Sequence, residues 1–139
     1  MVGWLALIGV TLIILVLIIS LKSTNSTEVI FDGDERVEIT DVVVMSVYGG
    51  RVHLNEQERA EFISLVKGAS YNKKSIPNVT KFKSDFHIDI SYSNGANKRF
   101  KFELEREILA EEITDYKLEQ YYLEDKGKFA TFIKQYSGQ

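Results

Sequence analysis

The sequence contains no cysteine, only one proline and two histidines. Without cysteine the chain has no disulfide, no thiolate metal ligand and no lipid-modified cysteine of the lipoprotein kind. It also has no Walker loop, no G-x-G-x-x-G and no G-x-S-x-G, the patterns that identify many nucleotide-binding proteins and hydrolases. The sequence therefore predicts no catalytic residue, no metal site and no cofactor.

Charge is missing from the first stretch, which runs from Val2 to Leu21 and reads VGWLALIGVTLIILVLIISL. Twenty residues of helix measure about 30 Å, the thickness of the hydrocarbon core of a bilayer. A cleaved signal peptide would begin with basic residues and have a shorter apolar core of about 7–15 residues. We therefore predict a retained transmembrane anchor at 1–22, with a polar linker at 23–27. A cleaved signal and a buried soluble helix are the alternatives.

The remaining residues, 28–139, are enough for one soluble domain with one core. The chain has a formal net charge of −3, which argues against nucleic-acid binding. A short N-terminal anchor usually exports the domain behind it, so we expect a single-pass protein of the cell membrane with an extracytoplasmic domain. Only Lys22 lies close to the end of the apolar run, so the opposite orientation stays open.

Alternating apolar residues predict most of the strands. Residues 28–31 are predicted as a short strand, 32–35 as a turn, and 36–48 as the longest strand. On that long strand one parity forms the expected core face: Val37, Ile39, Val43, Met45 and Val47. Gly49-Gly50 then predicts a hairpin turn, with 51–54 as the returning strand.

Asn55, with Glu58 three positions later, is typical of a helix start and predicts a helix over 56–68. Residues 70–81 are predicted as a loop. Residues 85–93 form the next strand, Asn94-Gly95 a hairpin turn, and Phe100, Phe102 and Leu104 the core face of its partner. Residues 105–115 fit a helix or a strand, and we favour an extended hairpin that turns near 110–115. A strand over 116–123 and a last helix over 126–136, capped by Asp125, complete the prediction.

This order of elements predicts an α+β protein: an N-terminal transmembrane helix, then a small antiparallel sheet with two amphipathic helices packed on one face.

Two groups of side chains are candidates for function. His87 and Asp89 share the face of their strand that lies opposite the core, but two ligands do not make a metal site. Basic residues are concentrated between 67 and 101, and we predict that seven of them form a patch for an anionic partner: Lys73, Lys74, Lys81, Lys83, Lys98, Arg99 and Lys101. Ordinary surface charge on loops is the alternative.

Four segments carry a resemblance: the anchor, V-E-I-T-D-V-V-V at 37–44, N-E-Q-E-R at 55–59 and F-H-I-D-I-S-Y-S-N-G at 86–95. The chain resembles small single-pass membrane proteins of Gram-positive bacteria that have an uncharacterised extracytoplasmic α+β domain. Many such proteins are lipoproteins, and this chain departs from them because it lacks cysteine. The resemblance implies a tethered domain and no activity.

We therefore expect a membrane-anchored, non-enzymatic domain, held in the bilayer through residues 2–21, that binds a protein or an anionic envelope component near the membrane surface. A cytoplasm-facing accessory or immunity-type inhibitor is one alternative. A small hydrolase or metal-dependent enzyme that uses His87 and Asp89 is another.

Overall fold

The computed structural model describes residues 2–20, 26–31, 34, 36–73 and 82–138. In chain order the helices and strands are α1 (Val2–Ser20), α2 (Ser26–Val29), β1 (Ile39–Ser46), β2 (Arg51–His53), α3 (Glu56–Gly68), β3 (Ser70–Asn72), β4 (Phe86–Tyr92), β5 (Asn97–Glu103), β6 (Ile108–Thr114), β7 (Lys117–Glu124) and α4 (Lys128–Lys134).

The strands form one open sheet of seven in the order β2-β1-β4-β5-β6-β7-β3. Every neighbouring pair is antiparallel. The predicted α+β class with an antiparallel sheet is confirmed. The sheet is larger than expected, since the sequence predicted neither β3 nor a separate β6.

Helix α1 covers 19 residues of the apolar N-terminal run. Its described side chains are exposed, among them those of Trp4, Leu7 and Ile13. In the parts of the chain that the structure describes, no helix is both long enough and apolar enough to cross a membrane. The anchor at 1–22 stays a prediction, and most of the linker at 23–27 lies outside the described residues.

The core lies between one face of the sheet and the helices α2, α3 and α4. Phe62 of α3 meets Phe129 of α4 with ring centroids 5.8 Å apart, and Phe129 meets Phe102 of β5 at 5.0 Å. Both amphipathic helices therefore bury their apolar stripes in the same core. Edge-on ring contacts of this kind add to the free energy gained by burying the rings.

The predicted core face of β1 is wrong beyond Ile39. Ile39 pairs with Tyr92 but Asp41 pairs with Ser91, so Thr40 is an extra residue in a β-bulge. A bulge of one residue reverses the parity of all later positions on the strand. Val42 and Val44 therefore enter the core, while Val43 and Met45 turn to the opposite face.

Residues 28–31 do not form the predicted strand. Ser26–Val29 is a helical turn, and Val29, Ile30 and Phe31 are all buried. A strand would send alternate side chains to opposite faces, whereas a turn can direct three consecutive side chains into one core. Of the turn predicted at 32–35, only residue 34 is described.

The helix prediction at 56–68 is confirmed. Asn55 Oδ1 accepts the Glu58 backbone N–H at 2.9 Å, and Asn55 Nδ2 donates to Glu58 Oε1 at 2.7 Å. The N-cap of the last helix is Gly127 and not the predicted Asp125. The Asp125 carboxylate accepts the backbone N–H groups of Gly127 and Phe129 at the start of that helix. That helix is shorter than the predicted 126–136.

Two other segments differ from the prediction. Residues 70–72 form the edge strand β3 rather than a loop, because Tyr71 is fully buried and its hydroxyl donates to the Val66 carbonyl at 2.6 Å. Residues 105–115 do not continue β5: the chain turns at 104–107, where Glu107 takes a positive φ of 52°, and β6 comes next. Only the second turn, at 115–116, lies near the predicted position.

Candidate functional site

The face of the sheet opposite the core combines charged side chains with buried Val43 and Ala110, and we call it the open face. Alternation along β4 buries Phe86, Ile88 and Ile90 in the core and turns the residues between them to the open face. Cross-strand pairing adds side chains from neighbouring strands at the same heights. The open face thus includes Val43, Met45, Arg51, His53, His87, Asp89, Ser91, Arg99 and Lys101.

Two cross-strand rows organise this face. In one row His53, Val43, Asp89 and Arg99 lie side by side across β2, β1, β4 and β5. In the next row the neighbours are Arg51, Met45, His87, Lys101, Ala110 and Gln120. One row therefore contains an acid between basic groups, and the other contains only basic and neutral side chains.

Ion pairs neutralise much of the first row. Arg99 Nε donates to Asp89 Oδ1 at 2.7 Å, and Arg99 Nη2 donates to Asp89 Oδ2 at 3.2 Å. This fork-to-fork contact raises the pKa of Arg99 through the hydrogen bond and the charge of Asp89. His53 Nδ1 lies 3.2 Å from Asp41 Oδ2 on the neighbouring strand.

These side chains border a groove of about 520 Å³ on the open face. Its walls bear both signs of charge, and its apolar lining residues are Val43, which is 4% exposed, and Ile113, which is 42% exposed. At one end the groove reaches the β6–β7 hairpin. It is lined by Asp41, Val43, Arg51, Asp89, Ser91, Asn97, Lys98, Arg99, Glu112, Ile113, Thr114 and Asp115.

His87 sits half-buried beside this groove in the basic row. Burial lowers its pKa, and so do the charges of Lys101 and Arg99, while Glu112 and Asp89 act weakly in the opposite direction. The imidazole is therefore held neutral over a wider pH range than a free histidine. A neutral imidazole can both donate and accept a hydrogen bond.

The basic residues that the sequence grouped together do not share one surface. Arg99 and Lys101 lie on the open face, but Lys98 alternates to the core face. Lys73 is exposed near the far edge of the sheet, 3.7 Å from Glu119. Lys83 precedes β4, while Lys74 and Lys81 lie outside the described residues. Anion binding by this set stays a prediction.

Lys98 has a structural partner on the core side. Its Nζ lies 3.1 Å from Glu111 Oε1, with side-chain exposures of 10% and 14%, and it donates to the Val29 carbonyl at 3.3 Å. The lysine therefore links the sheet to α2, which a sequence pattern of charges alone could not show.

His87 and Asp89 share the open face as predicted, but the Asp89 carboxylate is held by Arg99. Across the ranges that the structure describes, no group of three histidine or acidic side chains could hold a metal ion. Sequence reasoning missed Asp41, Arg51 and Glu112 as groove residues. The bulge at Thr40 hid Asp41, because it reverses the parity of β1.

Comparison of the chain with protein-family models, with curated proteins and with solved structures finds no match.

Proposed function

We propose that the chain is a membrane-tethered, non-enzymatic binding domain whose open face binds a protein partner near the surface of the cell membrane, on the extracytoplasmic side. The single observation that carries the binding part is the groove of about 520 Å³ on the open face, whose lining combines charges of both signs with the apolar residues Val43 and Ile113. Protein interfaces commonly combine an apolar centre with a polar rim.

The tether is supported by the uncharged run from Val2 to Leu21 and by the exposure of its apolar side chains on α1. A helix that is apolar on every side belongs in lipid or in the core of a protein. The large exposed residues of α1 include Trp4, Leu7, Ile8 and Val10. Lipid is the environment that would cover such a set of apolar side chains. The exposure of these four side chains supports the proposal that residues 2–21 associate with the membrane.

A protein partner fits the charges better than an anionic polymer does. Arg99 is already engaged by Asp89, and Lys98 by Glu111. Glu112 and Asp115 add negative charge to the same groove. An anionic chain would meet these acids, whereas a protein surface can offer opposite charges at matched positions.

Site-specific photocrosslinking in native membranes tests the binding surface. A benzophenone amino acid replaces Arg51 or Lys101 on the open face, and Glu61 of α3 or Thr131 of α4 as exposed controls. We expect a discrete protein adduct from the first two positions only. Adducts of equal yield from the helix positions, or from those positions alone, would contradict the proposal.

A further inference from the structure

The sheet has two ends, and α2 lies toward the one that contains the β4–β5 and β6–β7 turns. Tyr92, the last residue of β4, donates its hydroxyl hydrogen bond to the Ile30 carbonyl. Lys98, the second residue of β5, donates to the Val29 carbonyl at 3.3 Å. Phe31 packs edge-on against Tyr92, with ring centroids 6.5 Å apart, and Lys67 Nζ lies 5.5 Å from the Phe31 ring centroid. Residues 29–31 are thus attached to the sheet near this end, while α2 also lies against α3 and the edge strand β3.

The chain between α1 and α2 is short. Residues 21–25 join Ser20 to Ser26, and an extended chain of this length spans at most about 20 Å. If α1 is in the bilayer, the end of the sheet that holds α2 lies within that distance of the lipid. The β1–β2 turn, at 47–50, lies at the other end of the sheet.

The β6–β7 hairpin extends from this same end and presents apolar side chains to solvent. Tyr116 is 97% exposed and Ile113 is 42% exposed. The register shift between Glu112 and Thr114 makes Ile113 the extra residue of a bulge, outside the regular pairing. From Glu111, which holds Lys98, β6 rises about 10 Å to its last residue, Thr114, at about 3.3 Å per residue, and the turn at 115–116 follows. The tip therefore lies at the end of the sheet that faces the lipid in the proposed orientation.

We propose that the β6–β7 hairpin tip, residues Ile113 to Lys117, inserts its tyrosine and isoleucine into the headgroup region of the bilayer and thereby fixes the orientation of the domain. This inference rests on the proposed membrane tether. Tyrosine favours the membrane interface because its ring is apolar and its hydroxyl is polar. Asp115 and Lys117 flank Tyr116 with opposite charges, so the contact does not depend on anionic lipid.

This orientation also determines where the groove lies relative to the bilayer. Ile113, Thr114 and Asp115 belong both to the hairpin tip and to the wall of the groove. With the tip at the lipid surface, the groove opens beside the bilayer. Its partner is then the juxtamembrane part of another membrane protein.

Fluorescence quenching in phosphatidylcholine vesicles tests the contact on the full chain. Because the chain has no cysteine, a single Asp115→Cys variant can be labelled with an environment-sensitive dye, and Tyr48→Cys labels the opposite end of the sheet. Tyr48 is 79% exposed and makes a matched control. We expect nitroxide-labelled lipid to quench the dye at 115 and not at 48, and Ile113→Ser with Tyr116→Ser to abolish the quenching at 115.

The fluorescence of Trp4, the only tryptophan in the chain, reports on the tether independently of the hairpin. If brominated lipid quenches Trp4 but nitroxide lipid leaves the dye at 115 unquenched, the hairpin contact is wrong and the tether stands. If neither probe is quenched, both proposals are wrong. Equal quenching at 48 and 115 would also overturn the proposed orientation.

Discussion

At the scale of single residues, the buried carboxylate of Glu103 is held by specific hydrogen bonds. Glu103 is only 3% exposed, and its carboxylate accepts from Arg106 Nε, from Arg106 Nη2 at 2.8 Å and from the Lys83 backbone N–H at 3.2 Å. The Arg106 hydrogen bond is the main cause that lowers the pKa of Glu103. The ionised carboxylate therefore stabilises the turn between β5 and β6.

Glu103→Gln tests that role. The amide keeps the shape but loses the charge that Arg106 binds, so we expect the free energy of unfolding at pH 7 to fall by about 1–3 kcal/mol in urea titrations. Because the folded pKa lies below the unfolded one, the wild-type advantage should shrink as the pH falls through the folded pKa. Glu105→Gln, at an exposed position in the same turn, is the control and should change stability little.

His87 makes the free energy of unfolding depend on pH in a second way, because burial of its imidazole lowers its pKa. Its pKa is lowered from the ordinary histidine value of 6.5, so the unfolded state binds the proton more readily than the folded state does. Stability should therefore fall as the pH drops below about 6.5, and His87→Gln should reduce this slope. Urea unfolding between pH 5 and 7 measures it, and an unchanged slope in the variant would contradict the assignment.

At the scale of elements, local patterns predict those parts of the fold that local physics decides. The cap at Asn55 predicted α3 with its observed bounds, and Asn94-Gly95 predicted the β4–β5 turn, where Gly95 takes a φ of 84°. The alternation from Phe86 to Tyr92 predicted the core face of β4. Each of these signals lies within a few residues of the structure that it specifies.

Features that depend on distant contacts were not predictable in this way. The bulge at Thr40 exists because β1 pairs with β4, where the Thr40 hydroxyl donates to the Ser91 carbonyl at 3.2 Å. β3 forms because the Tyr71 hydroxyl donates to the Val66 carbonyl and the Tyr71 ring packs edge-on against Tyr121, with ring centroids 6.4 Å apart. α2 replaces a predicted strand because Tyr92 and Lys98 bind its last carbonyls. The groove was missed for the same reason, since its walls come from separate strands.

Asn55→Ala tests the cap of α3. Loss of the Asn55 acceptor leaves the Glu58 N–H without its cap, and we expect the free energy of unfolding to fall by about 1 kcal/mol. Asn55→Ser keeps a side-chain acceptor for the Glu58 N–H without a second carboxylate beside Glu58, and should stay near wild type. Thermal unfolding of both variants compares them, and equal losses would show that the cap hydrogen bond is not the cause.

At the scale of the whole molecule, the proposal joins three features: an uncharged apolar run, a domain that begins within a few residues of it, and a sheet with one face free of the core. In the proposal, the apolar run holds the chain in a membrane, the short connection keeps the domain close to the lipid, and the free face of the sheet binds the partner. Without the membrane tether, the proposal would no longer require a membrane protein as the partner.

Carbonate extraction of cell membranes tests the tether most directly, because alkaline carbonate releases peripheral proteins and leaves those held by an apolar helix. The test variant has two charges in the apolar run, Leu7→Asp with Leu12→Lys, and its control has two alanines at the same positions, Leu7→Ala with Leu12→Ala. A charged side chain at the centre of a membrane helix makes insertion less favourable by about 2.5–3.5 kcal/mol. We expect the wild type and the alanine variant to stay in the membrane pellet and the charged variant to lose membrane retention. Release of the wild-type chain into the supernatant would contradict the account.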